Sequence, residues 1–266
     1  MRIGWKTIEK LEPHEDKNEK WNEGDGNKWL EEKWKSKKQR GKEKPLSEIL
    51  KDNPIIKQSK VIWVDLYNTI ILLPKRKRTT KISMSLLRQL YYKIQMEEID
   101  IRTAHETMDT IKVWDGWIDK IINNIKYEID NAELDPDALE VLNKLKEKWY
   151  KLAAISNLSK EYEEPLRKLI PDGIFDYEAL SFKVHSMKPK KEIFESVINQ
   201  AKEKDWLNIN MKDMVMVWDT PKHDVIWPIN IWMSAIWLNK GAKKMEYDKK
   251  RGIIIIHTLK DLLDIL

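Results

Sequence analysis

The stretch Lys60–Leu66, KVIWVDL, decides the fold. Its apolar residues form an unbroken run rich in β-branched side chains, and the run stops at a carboxylate, Asp65. Such a run is the pattern of a strand buried on both faces, as in a parallel sheet. Similar runs recur at Leu152–Ser156 (LAAIS), Met214–Asp219 (MVMVWD), Met233–Leu238 (MSAIWL) and Ile253–His257 (IIIIH). Helical patterns separate them. Ala138, Val141, Leu142 and Leu145 share one face behind Asp135-Pro136, read as an N-cap and a first helical residue. Ile193, Phe194, Val197, Ile198 and Ala201 share another. Strands alternating with helices imply an α/β fold, a doubly wound parallel sheet.

One long interruption follows the first strand. It holds two helical stretches, near Met84–Met96 and Thr103–Ile129, and no convincing strand. Met108, Ile111, Ile118, Ile121, Ile122 and Ile125 give the second an apolar stripe. Inserted after strand one, it lies over the carboxyl ends of the strands, where such sheets bind ligands, and it reads as a cap. The expected organisation is a charged extension over 1–58, a core over 59–72 and 135–266, and a helical cap over 73–134.

Composition bounds the rest. The 266 residues are 35% charged and 41% hydrophobic with a net charge of +5, a balance that does not by itself indicate nucleic acid. Lys33–Lys44 (KWKSKKQRGKEK) has almost nothing to bury and reads as a solvated extension. Interleaved Trp there leaves stacking on single-stranded nucleic acid as the alternative. The chain has no cysteine, which excludes disulfides and thiolate chemistry. No signal-peptide core and no apolar run of membrane-spanning length is present, so a cytoplasmic location is the default expectation.

Three strand ends carry polar clusters: Asp65-Leu66-Tyr67-Asn68-Thr69, Ser156-Asn157, and Asp219 with Asp224. Carboxyl ends of parallel strands converge on one crevice, so these groups can meet although distant in sequence. The order DLYNT, AAISN, SMKPKKEIF, VWDTPKHD resembles the four motifs of the haloacid dehalogenase (HAD) superfamily, over roughly residues 60 to 240. The resemblance implies a Rossmann-like core with strand order 5-4-1-2-3, a helical cap, and a hydrolase acting on a small-molecule substrate. It assigns Asp65 as nucleophile, Thr69 as the hydroxyl closing the first motif, Ser156 as the hydroxyl binding the transferring group with Asn157 its companion, and Lys188 as the balancing cation. It places Mg²⁺ on Asp65, the Tyr67 backbone carbonyl and Asp219, with Asp224 in direct contact or one layer out. His223 reads as an exposed neighbour, and His105 and His257 carry no site signal.

Two departures matter. Phosphatases of the superfamily carry a second aspartate two residues after the nucleophile, where this chain has Tyr67. Haloacid dehalogenases carry tyrosine there but work without metal and lack the paired acids Asp219 and Asp224. A metal-dependent phosphatase is therefore the expectation, with a metal-independent dehalogenase and a catalytically silent binding protein as alternatives. Secondly, Trp149, Trp218, Trp227 and Trp232 stand where family members usually have glycine, among 13 Trp against 8 Gly. Some bacterial lineages read UGA as glycine and others as tryptophan. The replacements raise the hypothesis of glycines written as Trp through the wrong table, with Trp237 genuine. As written, Trp218 would crowd the metal loop.

Overall fold

In a computed structural model, residues 59–74, 90, 92–97, 99–106, 115–220, 233–248 and 252–266 are described. The 1–58 extension, Met84, Met108, Ile111, His223, Asp224, Trp227 and Trp232 lie outside them. The apolar runs become strands β1 (Val61–Val64), β4 (Lys151–Ser156), β6 (Met214–Trp218), β7 (Ser234–Leu238) and β9 (Ile253–Ile256). They pair in parallel in the order β5-β4-β1-β6-β7-β9, with β5 spanning Tyr177–Leu180. An antiparallel edge strand, β8 (Glu246–Asp248), completes the seven-stranded sheet. The five strands from β5 to β7 reproduce the expected order 5-4-1-2-3, read from the other edge.

Both faces of the central strands β1, β6 and β7 are covered, which is why those strands are almost wholly apolar. Along β1, Ile62 and Val64 join one buried cluster and Val61 and Trp63 the other. On the first face lies α3 (Ala138–Glu147), burying the four residues expected of it. On the second lies α6 (Lys191–Asp205), burying Ile193, Phe194, Val197 and Ala201, with Phe194 stacked on Trp63 at 5.1 Å. The assigned cap of α3 is Asp137 rather than Asp135. Asp135 still accepts the Asp137 N–H one turn earlier, and its carbonyl accepts from Ala138.

The described part of the interruption after β1 contains helical residues 92–96, α1 (Ile101–Glu106) and α2 (Asp115–Asp130). Of the expected stripe, Ile118, Ile121 and Ile125 are buried and Ile122 is partly buried, while Met108 and Ile111 lie outside the described residues. The expectation of no strand there is corrected. β2 (Ile71–Leu72) pairs antiparallel with β3 (Glu133–Leu134), where the segment leaves and rejoins the core. Two residues each are too short to show alternation. β5 was also missed, because Glu178 interrupts its apolar run; that carboxylate pairs with Arg167 at 2.5 Å at the sheet edge. Among the described residues no helix is long and apolar enough to cross a membrane.

Among the described residues four non-glycine positions have positive φ: Asn68 (63°), Trp149 (69°), His185 (53°) and Trp206 (55°). Asn and His tolerate the left-handed region; a bulky aromatic does not. Trp149 follows α3 in a closed helix-ending motif, its N–H donating to Lys146 O and that of Tyr150 to Leu145 O. Trp206 ends α6, and the N–H of Leu207 just after it donates to Ala201 O. Both side chains are over 89% exposed, at 92% and 90%, so no packing offsets the strain. Trp149→Gly and Trp206→Gly should each stabilise the fold by roughly 0.5–1 kcal/mol, the relief of strain exceeding the added chain entropy. Denaturant unfolding checks this, with the Ala variants as controls that keep the offending Cβ and gain little.

Candidate active site

Parallel pairing of β4, β1 and β6 brings three chain segments to one edge. Val64 is in register with Ala154 and with Val217, so Asp65, Ser156 and Asp219 leave neighbouring strands at their carboxyl ends. The Asp65 N–H donates to Val217 O at 3.0 Å, which extends the ladder one step and holds the backbone of the carboxylate against β6. Beyond it the chain turns sharply. Ile70 and Ile71 donate to Leu66 O, and Asn68 takes its left-handed conformation inside that turn. Asp65 Oδ1 accepts from the Leu66 N–H at 2.9 Å.

Lys188 meets Asp65 from the opposite side. Its Nζ lies 2.9 Å from Asp65 Oδ1 and also donates to Ile155 O at 3.3 Å. Both side chains are withdrawn from solvent, 6% and 14% exposed, so the pair acts in a medium that screens it poorly. Asn157 fixes the Lys188 backbone: its Oδ1 accepts the Lys188 N–H at 2.7 Å and its Nδ2 donates to Lys188 O at 2.8 Å. In sequence Asn157 was assigned only as the companion of Ser156; in the structure its side chain holds the backbone of the cation in place.

Asp219 completes the acidic pair. Burial first, and the negative charge of Asp65 second, push its carboxyl above the ordinary carboxylate range, while Lys188 and a Thr220 hydroxyl pull against them. The two acids thus lie within electrostatic reach of one another and of one lysine. Trp237, on β7, donates its indole N–H to Asp219 O at 2.9 Å and anchors the turn. Ser156 is buried, and Thr69 is buried with no hydrogen-bond partner for its Oγ1 among the described residues. Asp224 lies outside those residues, and among them no group of three His, Asp or Glu side chains gathers at one point.

Tyr67 does not present a free hydroxyl. Its OH donates to the Tyr162 backbone carbonyl, and the rings meet edge to face at 5.3 Å. Burial, with a smaller contribution from Glu163, raises the phenol far above its ordinary value. The Tyr162 hydroxyl in turn donates to Glu128, a buried carboxylate on α2. Neither Tyr162 nor Glu128 was singled out from the sequence. Tyr162 meets Tyr67 across 95 residues of chain and Glu128 meets Tyr162 across 34, and no local spacing announces such contacts.

These features match known proteins. The family model described as haloacid dehalogenase-like hydrolase covers residues 52–237, and the chain belongs to that family. No curated protein matches it. Among solved structures, a HAD-family enzyme from Bacteroides thetaiotaomicron, bound to magnesium and inorganic phosphate, is similar at 18% identity and TM-score 0.51, over 70% of this chain and 96% of that one. A 2-haloacid dehalogenase from Pseudomonas syringae pv. Tomato is similar at 17% identity and TM-score 0.52, over 78% and 97%.

Removing one member of the Lys188–Asp65 pair strands the other in a poorly solvated site. Lys188→Met should cost about 3 kcal/mol of stability, and adding Asp65→Asn should recover part of it. Urea unfolding of both single variants and the double variant, in chelator, reads the coupling; additive costs would show that the pair is not energetically joined.

Proposed function

We propose that the chain is a metal-dependent hydrolase that uses Asp65 as nucleophile to dephosphorylate a small phosphorylated metabolite, with residues 73–134 as a cap over the site. The observation that carries this reading is the second carboxylate: Asp219 lies in the field of Asp65, and the two share Lys188. An anionic nucleophile approaching an anionic phosphate needs more positive charge than one lysine supplies. The donor set suits Mg²⁺, a hard cation that takes oxygen ligands and keeps several waters. Asp65, the Tyr67 carbonyl, Asp219 and Asp224 would hold it, and bound there it would neutralise charge on the phosphoryl group. The magnesium and phosphate in the Bacteroides enzyme support this reading.

In the proposed reaction an Asp65 carboxylate oxygen attacks phosphorus and the leaving-group oxygen departs with the P–O electron pair. Water then attacks the acyl phosphate, giving inorganic phosphate and restoring the carboxylate. Lys188 balances charge on Asp65 and the phosphoryl oxygens, and Ser156 and Thr69 offer hydroxyl protons to the same oxygens. Tyr67 serves as a fixed wall: its proton is committed to Tyr162 O and its raised pKa makes it a poor general acid or base near neutral pH.

Tyr67 also favours a second reading, a metal-independent 2-haloacid dehalogenase, because halide leaves without a proton. The Pseudomonas enzyme is in keeping with that alternative. Assays with p-nitrophenyl phosphate and 2-chloropropionate, with Mg²⁺ and with chelator, separate the readings. The phosphatase reading expects Mg²⁺-dependent release of p-nitrophenol, abolished by Asp65→Asn. Chelator-resistant halide release would transfer the assignment to the dehalogenase, and no turnover of either would favour a silent binding protein.

A phosphatase with Tyr67 in this position should turn over aryl phosphates with acidic phenols and perform poorly on alkyl phosphates. General acid catalysis typically contributes about 10²–10⁴-fold, and this position does not provide it. Tyr67→Asp should raise kcat/KM for alkyl phosphates far more than for aryl ones. Equal gains on both would show that position 67 is not where the proton is transferred.

A further inference from the structure

The four left-handed non-glycine positions divide cleanly. Asn68 and His185 are residue types that accept this conformation, as Asn and His commonly do. The other two are both tryptophan, Trp149 and Trp206, each closing a helix where glycine is the usual residue and each with its side chain in solvent. Independent drift away from glycine would yield varied residues, most often small or polar. The same bulky aromatic at both points to one cause acting on both. Composition agrees: glycine numbers 8 in 266 residues, where about 7% is usual, while Trp reaches 13 and Phe only 3. A third Trp is anomalous by another criterion. Trp218, the residue before Asp219, is buried and its indole N–H has no partner among the described residues, although a buried indole usually finds one. Trp237 is its counter-example on the neighbouring strand, with its N–H bonded to Asp219 O. Trp63 shares the unpaired N–H but stacks on Phe194 in mid-strand, and is left outside the inference.

We infer that the working protein carries glycine at 149, 206 and 218, encoded by UGA and read as glycine in its source cell, and tryptophan at 237. The structure thereby adds position 206, which the sequence did not single out. At 218 the consequence reaches the site: the backbone leading into Asp219 is flanked by a residue with no side chain. The inference concerns the chain itself and stands or falls independently of which hydrolysis it performs. The test is peptide mass spectrometry of the protein purified from its source cells, with the gene sequenced alongside. Glycine masses at 149, 206 and 218, TGA codons there and TGG at 237 are expected. Tryptophan at any of the three overturns the inference. Recombinant Trp218→Gly gives a second reading without source cells. Emptying a genuine core tryptophan site lowers the thermal midpoint steeply, so the inference expects a midpoint equal to or above that of the chain with Trp218. A fall of many degrees overturns the assignment at 218.

Discussion

The ion pair between Lys188 and Asp65 is the interaction around which the site is arranged. Its strength comes from where the sheet places it. Asp65 is fixed by a ladder bond to β6, and Lys188 is held by the Ile155 carbonyl of β4 and by the two bonds from Asn157. Strands on both sides of β1 therefore contribute to one contact. Two partly desolvated charges would be costly apart, and the surrounding hydrogen bonds keep them together with little side-chain freedom left to lose. Asp219 sits beside this pair, and its burial first and the Asp65 charge second push its carboxyl above the ordinary range, with Lys188 opposing them.

That arrangement also explains the division of labour around Tyr67. The residue lies two positions beyond the nucleophile, inside the tight turn, but its hydroxyl reaches away to a carbonyl on the segment following β4. The same segment contacts the inserted helices twice more. The Tyr162 hydroxyl reaches Glu128 on α2, and Glu161 Oε1 accepts the Ile101 N–H at the start of α1. The turn at residues 160–162 is thus the seat on which the helical segment rests, and Tyr67 packs against that seat.

Much of this was legible in the sequence because parallel strands buried on both faces leave an unambiguous record. KVIWV, LAAIS and MVMVW had to be central strands, and their polar termini had to converge. Asp65 and Asp219 follow from that logic, whereas Lys188 was read only from the resemblance to the family; its Nζ lies 2.9 Å from Asp65. Where side chains are partly polar the record fades: β5 carries Glu178 at an edge, and β2 and β3 are too short for any period. The task of Asn157 was not legible either, because an amide beside a strand end can face the substrate or the backbone equally well. Hydrogen bonds such as Tyr67 to Tyr162 depend on tertiary placement alone. The strain at Trp206 likewise required a backbone angle, since in sequence it is one more aromatic after a helix.

The small ribbon of β2 and β3 has a consequence for how such a protein can change over time. It brings the two ends of the helical segment side by side, and the Asp135 N–H closes the junction on Ile70 O at 2.8 Å. A loop whose ends are pinned together adds little entropic cost when its length changes, because that cost grows only with the logarithm of length. The sheet and its charged edge are therefore insulated from what is grafted between residues 72 and 133. The length of that segment can change at little cost to the pairing of β2 with β3 that closes it.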